Sequence, residues 1–493
     1  MILPFLIIIP LLAAFLITLI SGGRDSWAIV FSILAVISLL ALSVFSFLST
    51  GSQTFIYEMS GWKIPLTICL VQDALSTFML VIVNLIALTS LMFSVSYIRQ
   101  YSAPWKYYAL FMLLIAGMNG VIATGDIFNL FVFMEIALFS AYALVAFGGK
   151  AEEYEASFKY AVMGSVSSTL ILLGIGILYS ATSTLTMAKI AEILPTLDVK
   201  LTYWVGAIFL AGFGLKAAII PFHAWLPDAH SSAPAPISAM LSGVFIKSLG
   251  VYVLIRLFFN VFGGVAVFNE VFLVIGAISM IIGVFLALGQ WDIKRLLAYH
   301  SISQIGYIII GIGLATNLGI LGGVFHLFNH AIFKALLFYN AGVLEMTTGT
   351  RDLRQMGGLA KKLPTTSFTS MIASLSIAGL PPFNGFFSKL IIFIAAIQAG
   401  RPVYAFLAGL GSLLTLASFM KMQRYAFYGK ENKDADKTLA KVSTAMKWAM
   451  ISLAVLCLLT SLMVIPGIRE LTLDPVVAVI MNKTGYIAEV LGR

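Results

Sequence analysis

The stretch that decides the fold is DIFNLFVFMEIALFSAYALVAF, residues 126–147. After Asp126 at its start, it contains one ionisable side chain, Glu135, within an otherwise apolar run. Because about 20 apolar residues in an α-helix cross the hydrocarbon core of a bilayer, the stretch predicts a membrane-spanning helix. Similar runs recur along the chain, separated by short polar segments.

Composition extends this prediction to the whole chain of 493 residues, of which 60% are hydrophobic and 10% charged. A soluble protein has roughly 25% charged residues, and the mean hydropathy here is +1.01. These values exclude a soluble enzyme and a nucleic-acid-binding protein. They also disfavour a transmembrane β-barrel, whose strands alternate apolar and polar residues. The net charge of +9 fits an excess of basic residues in cytoplasmic loops.

Fourteen apolar runs predict an all-α polytopic membrane protein, a single integral membrane domain over residues 1–493. The predicted spans lie near residues 2–20, 27–48, 71–98, 107–124, 126–147, 158–181, 203–230, 236–258, 267–288, 296–316, 318–345, 367–399, 403–424 and 446–466. The first run has no basic segment before it, which predicts a retained span and not a cleaved signal peptide. A short C-terminal tail, residues 474–493, predicts an interfacial helix.

Two of the predicted spans are interrupted by prolines. The seventh contains Pro221 and Pro227, and the unusually long twelfth contains Pro381-Pro382 in its middle. Proline removes a backbone donor and breaks a helix, and freed carbonyls in a bilayer are tolerated only inside protein or beside water. Interrupted helices five spans apart predict two five-helix repeats of opposite topology, as in many transporters, over residues 107–258 and 267–424.

Basic residues predict the orientation of the chain in the membrane. The odd-numbered loops hold about seventeen Lys and Arg, against about five in the even-numbered loops, so the positive-inside rule places the odd loops in the cytoplasm and both termini outside. The basic residues of the odd-numbered loops include Arg99, Lys106, Lys294, Arg295, Arg351, Arg354, Lys361, Lys362 and the run from Lys430 to Lys447, and those of the even-numbered loops are Lys63, Lys189, Lys200, Arg256 and Arg401.

Five ionisable residues interrupt apolar runs and are candidates for function: Glu135, Lys216, Lys247, Lys334 and Lys389. A lone Lys at the bilayer centre costs about 3 kcal/mol on insertion scales, so five such residues indicate a shared role. A lysine near a helix end can instead extend to the interface, an alternative that applies best to Lys334. A structural ion pair with a lysine of another span is the alternative for Glu135. Three aspartates near span ends predict helix caps or interfacial anchors: Asp73, Asp126 and Asp228.

All five histidines fall within or at the ends of predicted spans: His223, His230, His300, His326 and His330. His326, His330 and Lys334 are spaced four residues apart and therefore share one face of a helix. A series of groups that bind and release protons favours a proton path, in which water bridges the gaps. Core hydrogen bonding and metal binding are the alternatives, although no acidic or cysteine partner for a metal is evident.

The sequence indicates no cofactor or redox centre of its own. Cys69 and Cys457 are the only cysteines and lie far apart, which disfavours a cysteine-ligated iron–sulfur cluster or zinc site. The sequence also lacks a Walker A motif and a convincing GxGxxG after a strand. We therefore predict no cofactor, no metal site and no nucleic-acid partner.

Five segments together resemble the motifs of a known family, in the expected order. They are GDIFNLFVFMEI, PFHAWLPDAHSSAPAPISAMLSG (221–243), WDIKRLLAYHSISQIGYI, HLFNHAIFKALLF and GLPPFNGFFSKL. Over roughly residues 70–430, the chain resembles the antiporter-like membrane subunits shared by respiratory complex I, membrane-bound hydrogenases and Mrp multisubunit sodium/proton antiporters. The chain length and Lys389 favour a resemblance to the D-type subunit of Mrp antiporters, or to its relative in archaeal-type hydrogenase and sulfur-reducing complexes.

The resemblance implies fourteen spans, two inverted repeats, and a proton path carried by Glu135, Lys216, Lys247, His330, Lys334 and Lys389. Glu135 resembles the family's fifth-span glutamate, Lys216 the lysine of the broken seventh span, and Lys247 the eighth-span lysine that links the half-channels. His330 and Lys334 occupy the place of the eleventh-span relay, and Lys389 that of the protonatable residue of the twelfth. Further relay candidates are His223, His230 and His326.

The leading hypothesis is a proton-translocating subunit of a multisubunit cation (Na+)/H+ antiporter. Its partners would be H+, Na+, other membrane subunits and the lipid bilayer of a prokaryotic cell (inner) membrane. The alternative is an ion-pumping subunit of a membrane-bound hydrogenase or quinone reductase, in which case any enzymatic activity belongs to the whole assembly. An autonomous solute permease predicts transport by the isolated chain. A structural scaffold predicts that loss of Glu135 or Lys216 impairs assembly alone.

Overall fold

The computed structural model describes residues 2–20, 23–51, 53–430 and 442–493, and most of them are helical. The membrane segments are α1 (Phe5–Ile20), α2 (Asp25–Thr50), α3 (Ala74–Tyr97), α4 (Pro104–Ala123), α5 (Ile127–Val145), α6 (Ala151–Thr182), α7a (Val199–Lys216), α7b (Trp225–Ser232), α8 (Ala235–Val261), α9 (Ala266–Leu288), α10 (Ile293–Gly313), α11 (Asn317–Thr348), α12a (Pro364–Ala378), α12b (Asn384–Gln398), α13 (Pro402–Gln423) and α14 (Thr444–Leu459). Within this described part, twelve helices are long and apolar enough to cross a membrane, and the shorter α1 and α12b are also apolar. Each predicted span corresponds to one helix or to two half-helices, which confirms the all-α polytopic membrane fold.

Both helices that contain the predicted breaks are interrupted. α7 is open between Lys216 and Trp225, and α12 is open between Ala378 and Asn384. Each gap contains proline, which has no backbone N–H to donate. The carbonyls that precede each gap are therefore available to other donors.

α8 departs from the regular helix predicted for residues 236–258. It contains three π-helical turns, Leu241–Phe245, Lys247–Val251 and Arg256–Val261. A π-turn displaces the regular hydrogen bonds of a helix and is often found at functional sites. Two of the three turns begin at a buried basic residue.

The predictions contain no strand, but residues between α2 and α3 form a short β-hairpin. Its strands, β1 (Phe55–Glu58) and β2 (Cys69–Gln72), pair antiparallel. Hydropathy alone extends the third predicted span into the buried residues of β2. The helix begins later because the Asp73 carboxylate accepts a hydrogen bond from Ser76 N at 2.8 Å and caps α3.

The C-terminal tail packs back onto the end of α8. It forms two helices, Asp474–Met481 and Lys483–Leu491, where one interfacial helix was expected. Asn260 Nδ2 in α8 donates to Val479 O at 2.7 Å, so the tail covers the last turn of α8. The remaining short helices of the described chain are Met187–Ile193 and Pro466–Thr472, with a π-helical turn at Arg424–Tyr428 after α13 and single 3₁₀ turns elsewhere.

The centre of the fold is formed by α8, α10 and α11, nearly all of whose residues are buried. Glycines let α10 approach both of its neighbours closely. A Cβ at Gly306 would lie 2.5 Å from Gly276 O in α9, and one at Gly311 would lie 2.8 Å from Gly323 Cα in α11. Because lipid is as apolar as the helices, close backbone packing of this kind supplies much of the helix association.

Two basic residues that the sequence analysis assigns to loops are buried in membrane helices instead. Lys294 is buried in the first turn of α10, with Nζ donating to Ala233 O at 2.6 Å, and Arg256 is buried in α8. Hydropathy locates helix ends only to within a few residues, which explains the error at Lys294, whereas Arg256 already lies within the predicted span 236–258. The basic excess in the odd-numbered loops remains without them. In the run from Lys430 to Lys447, residues 431–441 lie outside the described residues.

Arg256 forms a buried bidentate ion pair with Asp73. The distances are 2.7 Å from Nη1 to Oδ2 and 2.9 Å from Nη2 to Oδ1. The Tyr486 ring of the tail lies 5.3 Å from the guanidinium carbon. The pair therefore ties the start of α3 to the end of α8 beneath the tail.

Replacing Asp73 by Asn is expected to destabilise the purified protein by about 3–5 kcal/mol, because it leaves the buried charge of Arg256 unpaired. Asn remains a good helix cap, so the cap alone does not account for the loss. A lower midpoint of thermal denaturation in detergent checks the prediction. Glu155→Gln is the control, since it removes an exposed partner of Lys159 and should change stability by less than about 1 kcal/mol. Equal midpoints for both variants would contradict it.

Candidate functional site

Glu135 and Lys216 are joined through the hydroxyl of Ser168. Glu135 belongs to α5, Ser168 to α6, and Lys216 is the last residue of α7a. Ser168 Oγ donates to Glu135 Oε1 at 2.5 Å, and Lys216 Nζ donates to Ser168 Oγ at 3.1 Å and to Gly164 O at 2.9 Å. Three helices thus contribute to one hydrogen-bonded chain of carboxylate, hydroxyl and ammonium. Lys216 is buried, whereas Glu135 is half-buried.

The gap in α7 and the half-helix that follows it contain two of the relay candidates. His223 lies half-buried in the gap, and His230 is fully buried in α7b. Trp225 spans the gap by donating from Nε1 to Leu215 O at 3.0 Å, and its ring stacks on Tyr160 of α6 at 4.3 Å. Neither ring nitrogen of His230 has a hydrogen-bond partner among the described residues. Buried polar atoms of this kind are usually bound by ordered water.

Lys247 lies in a π-helical turn of α8 and is completely buried. Its ammonium donates to Ser242 O at 2.7 Å and to Gly243 O, both in the preceding π-turn. Gly250, near the end of the same turn, packs against the gap in α7, where a Cβ would lie 2.6 Å from Ala217 Cα. This contact sets α8 beside the end of α7a, so the surroundings of Lys247 adjoin the first cluster.

Lys334 lies in the middle of α11 and is also completely buried. Its Nζ donates to Leu297 O of α10. Ser301 Oγ donates to the same carbonyl at 3.2 Å and lies 2.7 Å from Ser242 Oγ of α8. Because the Ser242 carbonyl accepts from Lys247, a continuous series of polar groups joins the two lysines.

His326 and His330 lie along one face of α11, as their spacing predicts, with nearly parallel rings 6.3 Å apart. His326 is held on both nitrogens, by Ser388 Oγ at 2.9 Å and by Gln304 Oε1 at 3.1 Å. Both ring nitrogens of His330 lack a partner among the described residues. His326 is therefore fixed in place, and His330 is available to water.

Lys389 lies beside the gap in α12 and is buried. Its Nζ donates to Ile377 O of α12a at 2.7 Å and to Ser412 Oγ of α13 at 3.3 Å. The ammonium also lies 4.5 Å from the centroid of the Tyr307 ring, which is 5.6 Å from the ring of His326. The last lysine of the series is thus next to the histidine pair.

Burial decides one of the alternatives from the sequence. The ammonium groups of the four candidate lysines are hydrogen-bonded inside the protein. The alternative in which the Lys334 side chain extends to the membrane interface is therefore wrong. His300 fits the core hydrogen-bonding alternative, with Nε2 at 2.8 Å from Ser418 Oγ. Among the described residues, no three His, Cys, Asp or Glu side chains form a group that could hold a metal ion.

The aspartates near span ends are caps or anchors, as predicted. Asp126 caps α5 by accepting from Asn129 N at 2.8 Å. Asp228 in α7b forms ion pairs with Arg295 at 2.9 Å and with Lys159 at 3.1 Å. With the cap of α3 described above, these contacts confirm the prediction.

An ion-pair network surrounds the start of α10, on the side of the protein that carries the odd-numbered loops. Arg351 contacts Glu152 at 2.7 Å and Asp292 at 3.1 Å. Nearby, hydrogen bonds from the Arg354 guanidinium lower the pKa of the Asp352 carboxyl. The sequence analysis uses these arginines only to predict orientation, whereas the structure shows that they also hold loops and helix ends together.

Sequence reasoning missed the neutral polar groups that connect the charged residues. Ser168, Gln304 and Ser388 each bond to a predicted site residue on another helix. A serine in a membrane helix more often bonds to its own backbone, so residue type alone gives no signal. The packing of the helices is needed to identify them.

Comparisons with known proteins give consistent matches. Residues 124–415 match the family described as NADH:quinone oxidoreductase/Mrp antiporter, TM. The chain is 34% identical over 443 residues to the D-type subunit of the Na(+)/H(+) antiporter of Alkalihalophilus pseudofirmus, covering 89% of this chain and 90% of that protein. It is 37% identical over 435 residues to the N-type subunit of the NADH-quinone oxidoreductase of Desulforudis audaxviator, covering 86% of each.

A solved structure matches the fold over nearly the whole chain. The chain aligns with a chain of the Mrp complex from Dietzia sp. DQ12-45-1b at a TM-score of 0.92 and 28% identity, covering 99% of both. The family match over residues 124–415 contains every predicted site residue. The chain therefore belongs to the NADH:quinone oxidoreductase/Mrp antiporter family of transmembrane subunits and is a multi-pass membrane protein.

Proposed function

We propose that this chain is the proton-translocating subunit of a multisubunit cation (Na+)/H+ antiporter in a prokaryotic cell (inner) membrane. The observation that carries the proposal is a series of buried or half-buried titratable groups through the middle of the chain: Glu135, Lys216, Lys247, His330, Lys334 and Lys389. We propose three further histidines as additional relay groups: His223, His230 and His326. The relative named as a D-type antiporter subunit supports the assignment, and other membrane subunits, H+ and Na+ are the expected partners.

The chemistry follows from the environment of each ammonium group. Burial favours the neutral amine of a lysine, and a nearby carboxylate favours the ammonium. A change in the distance between Glu135 and Lys216 therefore drives uptake or release of a proton. Lys247 and Lys334 pass the proton along the centre of the protein, with water at His330, and Lys389 exchanges it at the far end.

We also propose that residues 107–258 and 267–424 are inverted repeats. A backbone feature that occurs twice supports this: Ile127 N donates to Leu185 O at 2.9 Å, and Ile293 N donates to Arg351 O at 3.0 Å. In both cases the donor follows a capping aspartate, and the acceptor follows a helix of 32 residues. The two features are five membrane crossings apart and so lie on opposite faces, as inverted units require.

An ion-pumping subunit of a redox complex is the second candidate, and the 37% identity to a NADH-quinone oxidoreductase subunit favours it. The two candidates use the same residues and differ in the polypeptides that drive them. Mass spectrometry of the complex purified in mild detergent separates them. Co-purification of small hydrophobic subunits and one longer homologue supports the antiporter. Soluble subunits that carry iron–sulfur clusters or nickel support the redox complex.

Replacing Glu135 or Lys216 by Ala is expected to lower cation-driven proton transport by about 100-fold or more, because each variant removes a proton-carrying group. Fluorescence quenching of a pH-sensitive dye in inverted vesicles that contain the assembled complex measures this. Glu155→Ala, an exposed carboxylate in α6, is the control and should transport normally. Normal assembly with full transport would overturn the site assignment. Failed assembly in both variants would instead favour a scaffold.

Replacing Lys247 by Met separates transport from stability. Among the residues that the structure describes, the ammonium is held only by carbonyls of its own helix, so an apolar side chain of similar length removes a desolvation cost. The assembled variant should therefore melt at the parental temperature or above it, while proton transport is lost. A lower melting temperature together with retained transport would assign Lys247 a structural role.

We further propose that both termini lie outside and the odd-numbered loops in the cytoplasm. The native cysteines Cys69 and Cys457 are buried, so a membrane-impermeant maleimide reports on an introduced cysteine. Thr196→Cys, at an exposed position of an even-numbered loop, should be labelled in intact cells. Ser102→Cys, at an exposed position of an odd-numbered loop, should be labelled only after the membrane is opened. The opposite pattern would reverse the proposed orientation.

A further inference from the structure

We infer that Ser168 is the relay residue through which a proton passes between Lys216 and Glu135. The inference rests on the proposed function and specifies how the first two members of the series exchange a proton. It assigns a chemical step to a neutral side chain on α6, a helix that contains none of the predicted site residues.

The hydroxyl of Ser168 stands between the two charged groups. It donates to Glu135 Oε1 at 2.5 Å, a distance typical of a hydroxyl bonded to a carboxylate. It also accepts from Lys216 Nζ at 3.1 Å. Within the described part of the chain, Lys216 forms no direct ion pair with Glu135 or with any other carboxylate. The serine is thus the group that connects them.

The surrounding packing holds Ser168 in place. The adjacent Ser167 Oγ donates to Gly212 O at 2.7 Å and binds α6 to α7a. A Cβ at Gly164, one turn away, would lie 1.8 Å from the hydroxyl oxygen of Tyr142 in α5. A residue larger than glycine at this position would displace the Tyr142 side chain from its contact with α6. The three helices that supply the carboxylate, hydroxyl and ammonium are therefore fixed relative to one another.

The second half of the chain has an ionisable group at the corresponding position. α5 and α10 begin at residues 127 and 293, and α6 and α11 begin at 151 and 317, a constant separation of 166 residues (293 − 127). By this correspondence Ser168 matches Lys334, and Glu135 matches Ser301. Ser301 and Lys334 both donate to Leu297 O. Each half thus places one hydroxyl and one ionisable group at these two positions, in exchanged order.

The transfer balances without any further reactant. One N–H bond of the Lys216 ammonium breaks, and its proton bonds to Ser168 Oγ. The original hydroxyl proton of Ser168 moves to Glu135 Oε1. The products are a neutral amine, an intact serine hydroxyl and a neutral carboxylic acid, and both hydrogen bonds have reversed direction. Loss of the proton from Glu135, rotation of the Ser168 hydroxyl and reprotonation of Lys216 then restore the starting arrangement.

The test compares three variants of the assembled complex in vesicles. Ser168→Ala removes only the hydroxyl and should lower cation-driven proton transport by about 10-fold or more. Ser168→Thr keeps a hydroxyl and should restore most of the transport. Ser165→Ala is the matched control, because Ser165 lies on the same helix, is exposed, and among the described residues its hydroxyl bonds only to Ala161 O of its own helix. Co-purification of the partner subunits verifies assembly in each case.

Infrared difference spectroscopy provides a second readout that does not depend on the Thr variant. The carboxylic acid band of Glu135, identified by its loss in Glu135→Gln, should change with pH in the parent protein and not in Ser168→Ala. Parental transport by Ser168→Ala, together with a carboxylic acid band that still changes with pH as in the parent protein, would overturn the relay. If Glu135→Gln is then still inactive, the proposed function stands without the relay. If Glu135→Gln is also active, the proposed function itself fails.

Discussion

The rest of the structure depends on how an ammonium group is solvated where lipid excludes water. Each of the four candidate lysines donates to backbone carbonyls: Lys216 to Gly164 O, Lys247 to Ser242 O and Gly243 O, Lys334 to Leu297 O, and Lys389 to Ile377 O. A carbonyl oxygen has two lone pairs, so a carbonyl of a regular helix can accept a second hydrogen bond from a lysine. The carbonyls of Gly164 in α6 and Leu297 in α10 do so. The π-turns of α8 and the end of α12a supply the others. Irregular backbone is tolerated inside a membrane only when protein surrounds it, which explains why α8 is enclosed by the other helices.

Because the central helices are enclosed, their ends are stabilised by ion pairs and by packing against the tail. α8 ends in a π-turn with a buried arginine, and this end is stabilised by Asp73 and covered by the tail helix that contains Tyr486. On the opposite face, ion pairs of Arg351 and Asp228 hold the start of α10 and the end of α7b. The ends of α7b, α8 and α10 are thus held by ion pairs, and the polar groups lie between these ends.

Much of the fold was predictable because hydropathy and proline act locally. Run length predicts the number of spans, and the prolines predict both broken helices. The four-residue spacing in α11 predicts that His326, His330 and Lys334 share a face. The π-turns, the β-hairpin and the burial of Lys294 and Arg256 were not predictable, since each depends on contacts with distant helices. The same holds for the bridging groups, because a serine such as Ser168 acquires its role only from the two helices packed beside it.

The two halves of the chain stabilise their buried ionisable groups with different chemistry. This difference suits the proposed proton path, which runs in one direction. In the first half, a carboxylate, a hydroxyl and an ammonium are connected, so a charge pair can form and disappear within the cluster. In the second half, Lys334 and Lys389 bond to carbonyls and hydroxyls within the described structure, and histidines lie between them. A scaffold would gain nothing from such groups, because apolar side chains of similar size pack as well at lower desolvation cost. A charge created or removed at Glu135 changes the electrostatic field along a series that has few fixed countercharges. In the proposed mechanism, that arrangement lets a neutralisation at one end favour proton movement toward the other.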